Sequence, residues 1–517
     1  MAEKSLIVIG AGLAGLATGC YAQMNGYQTT IFEQHTRPGG VCTAWKRGGY
    51  TIDGCIHWLM GARPGSPYHQ VYQEVGALEG NRLLQVEHLV EFLDEAGGQH
   101  LDVTKDVGRL AGDLKALSGR DAPAIDTLLE GVRAFRGLNG SVPWTRVARA
   151  SRGPWDGVVR AWHARRQLRY LIGYNVPASA FAARLHSPFL RWALSHVLTP
   201  ETPMLCVFAL LAQLADGELA RVEGGSLAFA LAIARRFRAL GGQVVYGAPV
   251  EEILVERGRG SDRAVGVRLA ETPGSRNGSA HHADAVVSAA DGYGTIFGML
   301  GGRYANGRIQ QRYETWPLSR PLLTVSYGIA HALGGQPPAR TIHLARPLEV
   351  RGKEIETLLC RVFDDPALAP TGKRVVQVTF RTDFDVWHDL QTQDRARYEA
   401  EKDQVAAQVL ERLERHLPGL SAHVEMIDVA TPYTFWRYTG NRAGSCRGWL
   451  LTPQGMRRAV PKTLPGLKDF YMAGQWVEPG GGIPASLSSG RHAVQMMCRR
   501  DGKAFMASSP RENATQG

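Results

Sequence analysis

A glycine-rich turn near the start of the chain constrains its fold more than any other stretch. Leu6-Ile7-Val8-Ile9 is a short, continuous apolar run, the pattern of a strand buried on both faces of a parallel sheet. It leads into Gly10-Ala11-Gly12-Leu13-Ala14-Gly15, and Leu16 to Met24 then reads as a helix rich in small residues. Gly10 suits a tight turn, Gly12 lets the backbone approach a pyrophosphate, and Gly15 permits close packing of helix on strand. The diphosphate belongs at the helix N-terminus, where unpaired N–H groups point outward. A second run, Thr29-Thr30-Ile31-Phe32, ends at Glu33. A carboxylate at that spacing accepts ribose hydroxyls and repels a 2′-phosphate. These residues specify a dinucleotide-binding βαβ unit and leave the dinucleotide open between FAD and NAD.

A chain of 517 residues is too long for one simple core, so two serial or interleaved domains are expected. With 44% hydrophobic and 21% charged residues, disorder is expected only in the polar tail from Lys503. The net charge of +11 favours anionic partners. The 7 cysteines include no CxxC pair, which argues against a zinc ribbon or dithiol motif and suits a reducing compartment. The residues before Leu6 leave no room for a signal peptide, and the apolar run Met204 to Leu214 is too short to cross a bilayer. The expectation is a cytoplasmic protein, with peripheral membrane contact as an option.

Further on, Gly39-Gly40-Val41 offers a second close backbone approach, and Tyr50-Thr51-Ile52-Asp53 reads as a strand closing in a bend through Ile56 and His57. Residues from Val71 to Arg221 read as mostly helical. Within them, Arg146, Arg149, Arg152, Arg160, Arg165, Arg166 and Arg169 interleave with Trp144, Trp155, Trp162 and Tyr170. That composition fits a helix on an anionic membrane surface, phosphate contacts and stacking with nucleic acid, or a solvated basic face whose rings dock on the core. Ser226 reads as the N-cap of a helix over Leu227 to Leu240, followed by strands at Gln243–Tyr246, Val250–Ile253 and Ala264–Leu269. Ala283 to Asp291 returns to the parallel sheet. From Pro321 to Pro461 longer strands alternate, and Val405, Val409, Leu413 and Leu417 form the core stripe of one helix. Near the C-terminus a strand ends at Gly474-Gln475. Gly480-Gly481-Gly482-Ile483-Pro484 then opens a helix whose N-terminus suits an anionic or electron-accepting group.

Glu33, Gly39-Gly40, the strand ending Asp53-x-x-x-His57 and the segment from Gly474 to Gly490 together resemble one group of flavoproteins. It is the phytoene desaturase, carotenoid isomerase and retinol saturase-like family of the amine oxidase-like superfamily. The resemblance implies FAD and an α/β fold. A discontinuous Rossmann-like FAD-binding domain (GR2 type) is expected over 1–85, 222–310 and 465–502. An interleaved α+β substrate-binding domain is expected over 86–221 and 311–464, with 503–517 as tail. It also implies cofactor contacts from Gly10, Gly12, Leu13, Ala14, Gly15, Glu33, Gln34, Arg37, Gly39, Gly40, Val41, Ile56, His57, Val250, Ala290, Gly474, Gln475, Gly482, Ile483 and Pro484. Val250 is expected to touch adenine through its backbone. Gln475 departs from the acid common at that position in the wider amine oxidase group, and the Gly480–Pro484 run also differs; both shift weight away from amine oxidation.

His57 is the best titratable candidate for moving a proton beside a flavin; a hydrogen-bonded structural histidine is the competing reading. No metal-ligand cluster or paired carboxylates stand out, and His281-His282 reads as solvent-facing. The expected activity is FAD-dependent desaturation, saturation or isomerisation at carbon–carbon bonds of an apolar polyene or isoprenoid-like substrate. An amine or amino-acid oxidase and a non-catalytic lipid carrier are the alternatives. Gly258-x-Gly260 has no following helix, so a second nucleotide site is not indicated. Electrons then leave to oxygen or quinone, arrive from a partner, or cycle with no net redox change. Nucleic acid is not an expected partner.

Overall fold

The computed structural model describes residues 4–137, 169–170, 172–271, 278–331 and 333–508. Its nucleotide sheet has five parallel strands in the order Phe470–Met472, Ala285–Ser288, Lys4–Ile9, Tyr27–Glu33 and Gln243–Tyr246. Lys4–Ile9 lies in the centre, which is why its last four residues are all buried and all apolar. The opening helix Leu13–Met24 is buried at every residue but Gln23, because helices Gly225–Ala239 and Ile483–Arg500 both pack on it. Small residues permit this. A Cβ at Gly19 would meet the Phe237 ring at 2.7 Å, and one at Gly490 would meet the Ala14 carbonyl oxygen at 2.7 Å. The C-terminal strand is shorter than the apolar pattern suggests. It breaks at Asp469, which adopts a φ of 57° and pairs with Arg263 and Arg500.

A seven-stranded mixed sheet forms the second layer, in the order Val424–Ala430, Leu322–Ile329, Arg374–Arg381, Lys353–Phe363, Ala339–Val350, His88–Asp94 and His100–Thr104. The last two strands correct the reading of Val71 to Arg221 as mostly helical. They form a hairpin that pairs in parallel with Ala339–Val350, with Arg340 opposite Glu91. This long-range pairing decides their conformation, which local pattern leaves ambiguous.

Helices Ala122–Phe135, Pro188–His196 and Met204–Ala215 build a separate core, with Phe208 ringed by Phe135, Tyr170, Tyr174 and Phe181. The apolar run at Met204 is the central helix of that core. Helix Arg395–Glu414 lies against the seven-stranded sheet through Val405, Val409 and Leu413. Among the described residues no helix is long and apolar enough to cross a membrane. Most of the arginine- and tryptophan-rich stretch lies outside the described residues; Tyr170 at its end is buried, with the Arg169 guanidinium 5.1 Å from its ring. The start of the expected tail is packed: Met506 N–H donates to Asn25 Oδ1 (2.7 Å), and Phe505 stacks near Tyr21.

Candidate functional site

The glycine turns assemble a cradle made of backbone. Gly10 takes a φ of 92° and its N–H donates to the Phe32 carbonyl (2.8 Å), so the turn is tied to the end of the second strand. Gly39, at φ 120°, donates from its N–H to the Ala11 carbonyl (2.9 Å), docking the second glycine pair on the first loop. A Cβ at Gly39 would lie 2.3 Å from the Cys42 carbonyl oxygen, and one at Gly40 would lie 3.3 Å from the Gly12 Cα. Only glycine fits this interlock. Glu33 is buried, and its carboxylate accepts from the Ala11 N–H (2.6 Å) and the His35 N–H (2.8 Å). Burial raises its pKa against those bonds.

These groups wall a cavity of about 490 Å³. Its lining includes Gly10, Gly12, Leu13, Ala14, Glu33, Gln34, Gly39, Gly40 and Val41 from the N-terminal unit. Ile56, His57, Val250, Ala290, Gly474, Gln475, Gly482, Ile483 and Pro484 join them from more distant segments. Two expected residues lie outside the lining. Gly15 packs against the strand turn, where a Cβ would strike the Gly10 carbonyl oxygen at 1.9 Å. Arg37 is exposed and donates to the Ala44 carbonyl (2.9 Å). Opposite the first loop, Gly480, Gly481 and Gly482 all have positive φ and lead into helix Ile483–Arg500, which starts without a side-chain cap. Its first turn lines the cavity, leaving N–H groups for an anionic or electron-accepting occupant. A backbone cradle that excludes Cβ atoms, a buried acid at the strand end and a second helix N-terminus fit a dinucleotide.

At the far end of this cavity the bend after Tyr50–Asp53 is held by a buried network. Asp53 Oδ2 accepts from the Ser226 N–H (2.5 Å) and Oδ1 from the Ser226 hydroxyl (2.6 Å) and the Cys55 N–H (3.1 Å). The Ile56 N–H in turn donates to Ser226 Oγ (2.7 Å). Ser226 is therefore not the N-cap expected from sequence. The helix starts two residues earlier, after Gly224 at φ 81°, and a Cβ at Gly225 would lie 2.2 Å from Asp53 Oδ2. Gln377 completes the anchor by donating from Nε2 to the Asp53 carbonyl (2.9 Å).

This bend presents His57 to the cavity. Desolvation, with the Arg361 and Arg447 guanidiniums adding to it, lowers the His57 pKa well below its usual value, so the imidazole is neutral at physiological pH. Beyond it lies a second cavity of about 630 Å³ between the seven-stranded sheet and the helical core. Val197, Leu198, Leu322, Leu359 and Phe380 are among its apolar walls. The two cavities share Asp53, Ile56, His57, Trp58, Leu198, Leu322, Arg361, Thr379, Cys446 and Arg447. Sequence reasoning missed Arg361, Gln377 and Arg447. The signal for the first two was a charged or amide side chain inside an apolar strand run, Leu358 to Phe363 and Val375 to Phe380. Arg447 carries no comparable signal. Among the described residues no group of His, Cys, Asp and Glu could hold a metal ion.

Residues 8–75 match the model of an NAD(P)-binding Rossmann-like domain. Two curated relatives match nearly the whole chain. The chloroplastic prolycopene isomerase of Arabidopsis thaliana is 23% identical, over 94% of this chain and 81% of the relative. The lycopene-forming phytoene desaturase of Paracoccus sp. (strain N81106 / MBIC 01143) is 25% identical, over 96% and 97%. Among solved structures, cyclohexylamine oxidase from Brevibacterium oxydans aligns with a TM-score of 0.57 at 14% identity, covering 97% of this chain and 100% of that one. That likeness concerns the fold: a parallel Rossmann-like sheet beside a mixed substrate-domain sheet.

Proposed function

With the chain a distant full-length homologue of phytoene desaturases and prolycopene isomerases, we propose that it is an FAD-dependent oxidoreductase acting on carbon–carbon bonds of a largely apolar, polyene or isoprenoid-like substrate. The observation that carries this reading is the meeting of the backbone-lined cradle with an apolar-walled cavity at His57. Segments 1–85, 222–310 and 465–502 would form the cofactor part, and 86–221 with 311–464 the substrate part. Gly10 to Ala14 and the cradle around Gly39 would hold the diphosphate, Glu33 the ribose, Val250 the adenine side, and Gly474 to Pro484 the flavin end.

When bound, the isoalloxazine supplies hydride and electron transfer. The chain's residues supply placement and proton handling. The Asp53–Ser226 network fixes the bend, and so fixes where the His57 ring stands. A neutral imidazole there can accept a proton from a substrate carbon and is not a strong acid at pH 7. The leucine, valine and phenylalanine side chains of the outer cavity offer the hydrocarbon part of a substrate an apolar surface. An amine oxidase would draw a substrate ammonium to the same place, and Arg361 and Arg447 oppose it there.

The test is anaerobic incubation of the flavin-bound protein with candidate polyenes, following flavin absorbance and product mass. Loss of two hydrogens, gain of two or an isomer of equal mass identifies the direction. A colourless protein that cannot be reconstituted with FAD would sink the reading. Replacing His57 by Ala should lower turnover with flavin retained; unchanged turnover would remove its role as proton acceptor.

A further inference from the structure

We infer that the junction of the two cavities is an anion site and that the substrate carries a carboxylate which binds there. This rests on the reading that the outer cavity takes the substrate, and it narrows that substrate from a hydrocarbon to an amphipathic acid.

Arg361 stands on strand Lys353–Phe363, is 8% exposed, and lines both cavities. Its Nη2 donates to Gln377 Oε1 (2.5 Å), while Nε and Nη1 have no hydrogen-bond partner. Among the described residues no carboxylate lies within ion-pair distance of it. Burial lowers its pKa to about 10, which leaves it a cation at physiological pH. A buried cation with two open donors and no counter-ion is costly unless something anionic completes it. Arg447 faces the same junction from the loop after Cys446, exposed and with no ion pair among the described residues. The acid nearest in this group, Asp53, already spends its carboxylate on Ser226 and Cys55.

Charge favours an anion at the junction. The side chains common to both cavities include two guanidiniums and one carboxylate, with His57 neutral, and Arg320 and Arg381 line the outer cavity near Arg447. Guanidinium groups match a planar carboxylate well. The walls beyond it at Val197, Leu198, Leu322 and Phe380 suit a hydrocarbon body. A carotene would leave both arginines unpaired.

The experiment compares all-trans-retinoic acid with retinol, a matched C20 polyene acid and alcohol, as probes for the full-length protein. Binding is read by quenching of tryptophan fluorescence, which works with or without flavin. The acid should bind at least about tenfold more tightly than the alcohol at pH 7.5. R361Q should bring the ratio near one and R447Q should lower it partly. R447Q changes an exposed side chain and keeps the test alive should R361Q fold poorly. Equal affinity for acid and alcohol in the unaltered protein overturns the inference. So does an R361Q protein that loses flavin yet keeps the preference, since the guanidinium would then serve the cofactor. Flavin content and turnover of an uncharged polyene are separate readouts. If both are normal while acid and alcohol bind alike, the carboxylate fails and the oxidoreductase reading stands.

Discussion

The inner cavity is rich in glycine and the outer one is not. In the first, glycines at positions 10, 12, 39, 40, 474 and 482 bring bare Cα atoms to the lining, five of them at positive φ. In the second, leucines and valines reach in from strands and helices far apart in sequence, among charged groups that include Arg221, Lys353, Glu354, Asp365 and Arg381. Those positive φ values, and at Gly39 the collision of a Cβ with the Cys42 carbonyl oxygen, restrict substitution there. A side-chain surface can be re-lined without disturbing the fold that carries it. That contrast accounts for a shared architecture with an amine oxidase at 14% identity.

The sharpest way to break the contrast is Gly39→Ala. The new Cβ would meet the Cys42 carbonyl oxygen at 2.3 Å on a residue with φ 120°. FAD affinity should fall by about hundredfold or more, read by retention of flavin on gel filtration. A protein that keeps its flavin would refute the claim that the cradle is sterically closed. Next in size is Asp53→Ala, which strips three hydrogen bonds to a buried carboxylate. It should cost about 3 kcal/mol of stability in chemical denaturation. Ser226→Ala should cost about 2 kcal/mol, since it leaves the Ile56 N–H without its acceptor.

His57 links the two surfaces, and its titration gives a smaller signal. Its folded pKa lies well below that of the unfolded chain, about 6.5. As pH falls through about 6.5 the unfolded state takes up the proton first, so this residue's contribution is full above that pH and shrinks below it. His57→Gln should flatten that part of the stability profile. If His57 accepts the proton, the rate should show no limb near pH 6.5 and fall only in more acid solution. R361Q, which removes a neighbouring positive charge, should move that limb upward. The smallest effect belongs to Arg37→Ala, outside the lining and joined to the Ala44 carbonyl by a single part-buried side-chain bond. FAD affinity should change by less than about 0.5 kcal/mol.

The same contrast explains what could be read from sequence. Glycine turns leave a signature, so Gly10 to Glu33 reads as a nucleotide loop from its spacing, and the family resemblance joins Gly39-Gly40 and Gly474 to Pro484 to it. The outer floor had no such signature. Arg361 and Gln377 come together through strand pairing, and the hairpin at His88 to Thr104 finds its place only against Ala339–Val350. Ser226 was misplaced because a serine between glycines and a helix has the composition of a cap, whereas its hydroxyl is taken by Asp53 from another element. Side chains recruited by tertiary pairing leave little trace in local pattern.

The packing of Gly490 on Ala14 and Thr18 sets an order of events during synthesis. The opening helix leaves the ribosome well before residues 483–500, so one flank stays uncovered until they emerge, and the sheet lacks its edge at Phe470–Met472 until shortly before. A nascent chain several hundred residues long must carry that apolar flank without its partner, a state prone to misassociation. On the proposed reading cofactor capture waits for those residues, and a chain cut short before residue 470 should emerge colourless and in need of chaperones.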